Sequence, residues 1–216
     1  VIRVLVADDE PLIVAGIGAV LGAADDIEVA AVAADGREAV EQVVLHRVDV
    51  AVLDIGMPRM DGLTALTELR RRAPNVRALM LTAFGDAPNV RDALDGGAAG
   101  FVLKNCAPDE LVRAVRAVHA GEAFLSPAVT RMVLGMLGPE RSGRRRGAAR
   151  RLAALSDRES QVASLVAEGL SNAEIGARLH MSETTIKTYM SRIMTKLGCA
   201  NRVQVALLVR DAEALP

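Results

Sequence analysis

The 216-residue chain has no tryptophan, one tyrosine and three phenylalanines, so aromatic side chains make up only 2% of it. Stacking platforms for single-stranded nucleic acid are therefore not expected. The core has to be built from Ala, Val, Leu and Ile. Cysteine is almost as scarce: Cys106 and Cys199 stand far apart, neither in a CxxC pair. That argues against a disulfide framework or a zinc site and fits a reducing cytoplasm. No apolar run approaches the length of a membrane span. The apolar start, residues 1–7, runs straight into Asp8, Asp9 and Glu10, the wrong flank for a secretion signal. What remains is the composition of a globular protein, 51% hydrophobic and 25% charged, with neither disorder nor a membrane protein favoured. The length suits two domains.

The formal net charge of -1 conceals an uneven distribution. Up to Leu137 there are 13 Lys plus Arg against 19 Asp plus Glu. Residues 138–151 hold six Arg against Glu140 alone, and the rest balances at seven against seven. An acidic front, a basic hinge and a neutral tail follow. The hinge, rich in Gly, Pro, Ser and Arg, breaks all periodicity and reads as a linker, either a solvated tether or one that also touches DNA phosphates.

Within the acidic part, strands expected near 2–7, 28–33, 48–53, 77–82 and 100–103 alternate with helices near 12–21, 36–46, 63–72, 89–95 and 108–119. Helical or turn-like sequence continues over 121–137. Five strands alternating with five helices imply a parallel sheet covered on both faces. The apolar run ending at Leu53 delivers Asp54 to a sudden turn set by Gly56 and Pro58. There Asp54 either simply ends a strand or lies in the crevice where open α/β sheets put their ligands. The other strand ends carry Asp8 with Asp9, then Thr82, then Lys104. Packed carboxylates repel, and a hard divalent cation with oxygen ligands, most simply Mg2+, relieves them. Thr82 adds a hydroxyl and Lys104 a compact cation, so the group is suited to holding a phosphoryl group on Asp54.

These residues resemble those of a response-regulator receiver domain, over 2 to about 120. The resemblance implies a flavodoxin-like, doubly wound α/β fold with a five-stranded parallel sheet. It makes Asp54 the phosphoacceptor, with Thr82 and Lys104 acting beside it, and Thr82 and Phe101 the switch pair. It assigns Mg2+ to Asp9, Asp54 and the main-chain carbonyl of Gly56, with Asp8 assisting through water. Met57, Pro58, Asp61 and Gly62 fit the same pattern. Phe101 stands where Tyr is commoner, and Asn105 where Pro often follows the lysine.

From Leu155 the pattern turns wholly helical. Ser156 with Glu159 and Ser171 with Glu174 form capping boxes, and Gly169 suits a helix end. A short helix over 172–179, a brief turn at His180 and Met181, and a third helix opened by Ser182 make a helix-turn-helix. Ile175, Leu179, Ile186, Ile193 and Leu197 are its expected core anchors. Thr184, Lys187, Thr188, Ser191, Arg192 and Lys196 remain outside as candidate DNA contacts, with Arg192 and Lys196 meeting phosphates. Residues 152–212 resemble the LuxR-type helix-turn-helix, through Leu155, Arg158, Glu159, Val162, Leu165, Gly169, Asn172, Ile175, Lys187, Lys196 and Arg202 among others. That resemblance makes Lys187, Thr188 and Ser191 base readers and the last helix, around 203–207, a dimer contact. Tyr189 departs from the family's usual His.

In this order the two resemblances identify the chain as a member of the NarL/LuxR class of response regulators. The expected organisation is a receiver over 1–121, a linker over 122–151 and an all-α DNA-binding domain over 152–216. The expected function is a cytoplasmic transcription factor, not an enzyme. A sensor histidine kinase, double-stranded DNA and a second copy are its implied partners, and no membrane. The alternative is a receiver that controls transcription without phosphate. An aspartyl phosphatase fits less well because Gly56 replaces the second acid. A nucleotide-binding domain also fits less well, because Gly16, Gly18 and Gly22 fall inside a helix.

Overall fold

In the first unit, runs of apolar residues form β1 (Ile2–Ala7), β2 (Ile27–Ala33), β3 (Val50–Asp54), β4 (Arg77–Thr82), β5 (Gly100–Leu103) and β6 (Phe124–Leu125). The strands pair in the order β2-β1-β3-β4-β5-β6 and every pairing is parallel. Between them run α1 (Pro11–Gly22), α2 (Gly36–His46), α3 (Gly62–Arg72), α4 (Ala87–Gly96) and α5 (Pro108–His119). The computed structural model describes residues 1–82, 87–127, 129–130, 133 and 142–213. Two compact units divide the chain, residues 1–134 and 135–216.

The period of two along each strand sorts the side chains by face. Val4, Val6, Val50, Val52, Leu79 and Leu81 join Ile17 and Leu21 of α1 and Leu111, Val115 and Val118 of α5 in one core. Leu5, Leu53, Met80 and Phe101, the residues between, are buried as well, so the central strands are apolar on both faces. Each such side chain contributes about 1.5–3 kcal/mol by leaving water. The helix starts are equally local: Pro11 and Pro108 open α1 and α5, and Asp35 and Asp61 cap α2 and α3 through Glu38 N–H at 2.9 Å and Thr64 N–H at 2.7 Å.

Two features differ from the sequence expectation. The sheet has a sixth strand, whose Phe124 and Leu125 pair with Gly100 and Phe101. Two residues are too few to show a periodicity. Within the expected linker, Ser142–Leu152 is an α-helix, α6. Arg and Ala are good helix formers despite the flanking glycines, and Ala148 is buried with Leu152 half-buried one turn on. Residues 128, 131–132 and 134–141 of that linker lie outside the described residues.

The second unit continues with α7 (Asp157–Ala167), α8 (Asn172–Leu179), α9 (Glu183–Leu197) and α10 (Arg202–Glu213). Both expected capping boxes are present, Ser156 with Glu159 and Ser171 with Glu174. His180, in left-handed backbone, ends α8 and leads through a short turn to Ser182, which caps α9. Ile175, Ile186, Ile193, Leu197, Val205 and Val209 are buried in one core, with Leu179 half-buried against it. The helix α6 packs on α10, and the Arg151 guanidinium bonds the Leu197 carbonyl at the end of α9. Among the described residues, no helix is long and apolar enough to cross a membrane.

Candidate functional site

The parallel register sets four strand ends on one rim. Ala7 pairs with Leu53, Asp54 with Leu81, and Thr82 with Leu103. The residue just past β1 is then Asp8, β3 ends on Asp54, β4 ends on Thr82, and Lys104 follows β5. Carboxylate oxygens of Asp8, Asp9 and Asp54 lie within 4.8 Å of one another. Lys104 Nζ reaches two of these carboxylates, 2.9 Å from Asp8 Oδ2 and 3.1 Å from Asp54 Oδ1. Asp8 and Asp54 are buried, whereas Asp9 is exposed at the mouth.

The loop after Asp54 folds back on it. The Gly56 N–H donates to Asp54 Oδ2 at 3.0 Å, which leaves the exposed Gly56 beside the carboxylate. Thr82 is buried at the end of β4, and its carbonyl accepts from the Lys104 N–H at 3.0 Å. Phe101 is fully buried; the ring at the expected switch position is thus already inside the sheet core. Sequence reasoning missed Glu10, whose Oε1 lies 3.2 Å from Lys104 Nζ. The signal was there, because Glu10 completes the acidic run at the end of β1.

Burial pushes the Asp54 carboxyl above the usual carboxylate range. Lys104 offsets part of this, and the negative charge of Asp8 adds to it. Burial works against the Lys104 charge, yet Asp8, Asp54 and Glu10 outweigh it and hold the ammonium well above the ordinary lysine range. Asp8 Oδ2 is shielded from solvent, and among the described residues the Lys104 ammonium is the cation that meets it. Among the described residues, Asp8, Asp54 and Glu10 share the Lys104 charge, and Asp9 lies beside them. Such hard oxygen donors fit a divalent cation of the Mg2+ type.

In the second unit, α9 presents the expected face. Thr184, Lys187, Thr188, Ser191, Arg192 and Lys196 are all exposed, while Ile186, Met190 and Ile193 point into the core. Tyr189 is half-buried against that core. Two of the basic residues are already paired: Lys187 with Glu183 at 2.8 Å and Lys196 with Glu159 at 2.7 Å. Glu159 is buried, and the same carboxylate oxygen accepts from the Ser156 N–H at 2.8 Å. Lys196 therefore ties α9 to the start of α7, a partner that could not be read from its position on an outer helix face. Arg202 similarly donates from within the core to Asn172 Oδ1 at 3.2 Å and to the Leu170 carbonyl at 2.6 Å.

The Lys196 hydrogen bond, then the Ser156 N–H, hold the Glu159 carboxyl below its usual range. A carboxyl depressed by folding stabilises the fold above its unfolded pKa, and that contribution disappears as pH falls through the folded value. Thermal melting of the second unit should show this acid-side loss, and Glu159→Gln should flatten it. An unchanged acid limb in Glu159→Gln would exclude the pair as its source.

The family profile "Response regulator receiver domain" matches residues 4–116, and "Bacterial regulatory proteins, luxR family" matches residues 153–209. The uncharacterized transcriptional regulatory protein YhcZ of Bacillus subtilis is 35% identical over 205 residues, which cover 95% of this chain and 94% of that protein. The DNA-binding transcriptional activator DevR/DosR of Mycobacterium tuberculosis is 34% identical over 213 residues, 97% of this chain and 94% of that protein. Among solved structures, RcsB is similar with a TM-score of 0.58 at 27% identity, covering 97% of this chain and 98% of that one. The acidic rim of the first unit and the helix-turn-helix of the second thus fall within the two matched segments, and the chain belongs to the response regulators that join a receiver domain to a LuxR-type DNA-binding domain.

Proposed function

We propose that this chain is a cytoplasmic transcription factor switched by transfer of a phosphoryl group from a sensor histidine kinase to Asp54. The observation that carries this reading is the convergence of Asp8, Asp9, Asp54, Thr82 and Lys104 on one rim of the sheet. An Asp54 oxygen forms the O–P bond as the P–N bond of the donor's phosphohistidine breaks. Asp8, Asp9, Asp54 and the Gly56 carbonyl would hold Mg2+, which when bound neutralises charge that develops on the phosphoryl oxygens. Lys104, already between Asp8 and Asp54, supplies a second positive charge to the same oxygens. Burial disfavours the charged Asp54 carboxylate, which makes it readier to share that charge with phosphorus. Thr82 turns its hydroxyl toward the new phosphate, and Phe101 repacks with it.

The output rests on α9. Thr184, Lys187 and Thr188 lie in its first half, where a recognition helix meets base edges, Ser191 continues that face, and Arg192 and Lys196 follow on the phosphate side. RcsB has been seen as two dimers bound to two parallel DNAs; a homodimer on paired half-sites is proposed here. The receiver spans 1–121 and the DNA-binding domain 152–216, with the connection between.

The test is incubation with a small acyl phosphate and Mg2+, followed by intact-mass measurement and DNA binding. Asp54→Asn should abolish the phosphoryl adduct. Persistent labelling of that variant would refute the site, and DNA affinity that is identical with and without the donor would favour a phosphate-independent regulator.

A further inference from the structure

The loop that carries Gly56 is held from a direction the phosphoryl chemistry does not use. Arg59 lies midway along it, exposed, with left-handed backbone at φ +61°. A Cβ disfavours that conformation and glycine is its natural occupant. The side chain gives a reason for arginine instead. Its guanidinium makes a hydrogen-bonded ion pair with Asp35, through Nε and Nη2. Asp35 has a side chain only 6% exposed, and its other oxygen caps α2 through the Glu38 N–H at 2.9 Å. One buried carboxylate therefore ties the start of α2 to the loop after Asp54.

A second bond lies beside the first. The Gly36 N–H donates to the Met60 carbonyl at 2.9 Å, and a Cβ at Gly36 would sit 2.7 Å from that oxygen. The β2–α2 corner thus grips residues 59 and 60 in succession. At the other end of the loop the Gly62 N–H donates to the Ile55 carbonyl at 3.1 Å. Between these clamps stands exposed Gly56, whose N–H already binds Asp54 Oδ2. An ion pair whose arginine stands in solvent by itself stabilises a fold only modestly. One that fixes a loop against a buried acid acts on whatever the loop presents.

We propose that Arg59 is a positioning residue: its ion pair with Asp35 fixes the loop so that the Gly56 carbonyl is set for the divalent cation. This rests on the reading of the rim as a Mg2+-dependent phosphoryl-accepting site. Arg59 touches neither cation nor phosphoryl group and acts through Gly56.

The test uses the full chain and three readouts: Mg2+ affinity by calorimetry, phosphorylation rate with a small acyl phosphate across Mg2+ concentrations, and melting temperature. Arg59→Gly takes the counter-charge from buried Asp35 but relieves the left-handed backbone, so these opposed effects should leave its melting temperature close to the parent's. Its Mg2+ affinity should fall roughly 3- to 10-fold, less than the loss typical of groups that bond a metal ligand directly. Its phosphorylation rate should drop at low Mg2+ and recover at saturation. Asp35→Asn keeps the α2 cap and should reproduce the fall, and the double variant should be no worse than either single one. Arg59→Lys, which retains the charge, should recover part of the affinity. A parent chain that binds Mg2+ and accepts the phosphoryl group, beside an Arg59→Gly variant with unchanged affinity, overturns the positioning role alone. A parent that does neither overturns the reading of the rim together with it.

Discussion

Alanine at position 62 should cost the first unit about 3 kcal/mol or more, the upper end of the range for overpacking. Its Cβ would sit 2.1 Å from the Asp54 carbonyl oxygen, 3.0 Å from that carbonyl carbon and 3.1 Å from Ile55 Cα. All three are backbone atoms at the end of β3, so no side chain can swing aside. Either the start of α3 or the end of β3 must move, and the second carries Asp54 with it. Denaturant unfolding followed through hydrogen exchange at β1 and β3 should show the loss. Phosphorylation of whatever folded fraction remains should fall as well. A Gly62→Ala chain within about 0.5 kcal/mol of the parent, the range of an ordinary surface change, would mean that the loop yields where the geometry says it cannot.

Removing the Lys104 charge should have the next largest effect, with a size that depends on the divalent cation. Lys104→Met strips the counter-charge from Asp8, Asp54 and Glu10, which lie 2.9, 3.1 and 3.2 Å from Nζ. Breaking a fully buried pair costs 3–5 kcal/mol; with the lysine side chain 19% exposed, about 2 kcal/mol is expected for the metal-free chain. The lysine contribution is complete at neutral pH. A raised lysine pKa stabilises the fold below its unfolded value, and the effect is lost only as pH rises through the folded one. In the variant, the Asp54 carboxyl should be pushed further up. A carboxyl whose pKa is raised by folding binds protons more tightly in the folded state, so acidification through that range should restore part of the stability. Millimolar Mg2+ should also restore it, and should raise the melting temperature of Lys104→Met by more than that of the parent. Equal Mg2+-induced shifts in the two chains would show that lysine and cation do not share the same carboxylates.

Much of this site was legible because a parallel sheet is built from short-range signals. Val50 to Leu53 read as a doubly buried strand because four apolar residues stand in a row. Asp54 had to end it because Gly56 and Pro58 cannot continue it. The capping boxes at Ser156 and Ser171 were equally local, each decided within four residues. What escaped was long-range or too short to have a period. Asp35 and Arg59 are 24 residues apart, and Lys196 and Glu159 are 37 apart; each pair exists only once the helices have docked. The strand Phe124–Leu125 consists of two residues, and the helix Ser142–Leu152 was hidden by the glycine and arginine content that marks flexible tethers. Glu10 was visible as the third acid of its run, but its reach to Lys104 depends on β5 lying across from β1.

The scarcity of aromatic residues, met first as a limit on the core, also makes the chain a spectroscopic instrument. Tyr189 is the only tyrosine and there is no tryptophan. It stands half-buried on α9, among residues that would face DNA. Excited near 280 nm (the tyrosine band), the protein emits from α9 alone, and the first unit is dark. Any change in that emission on treatment with a small acyl phosphate is therefore a message received by the second unit, measured with no label attached.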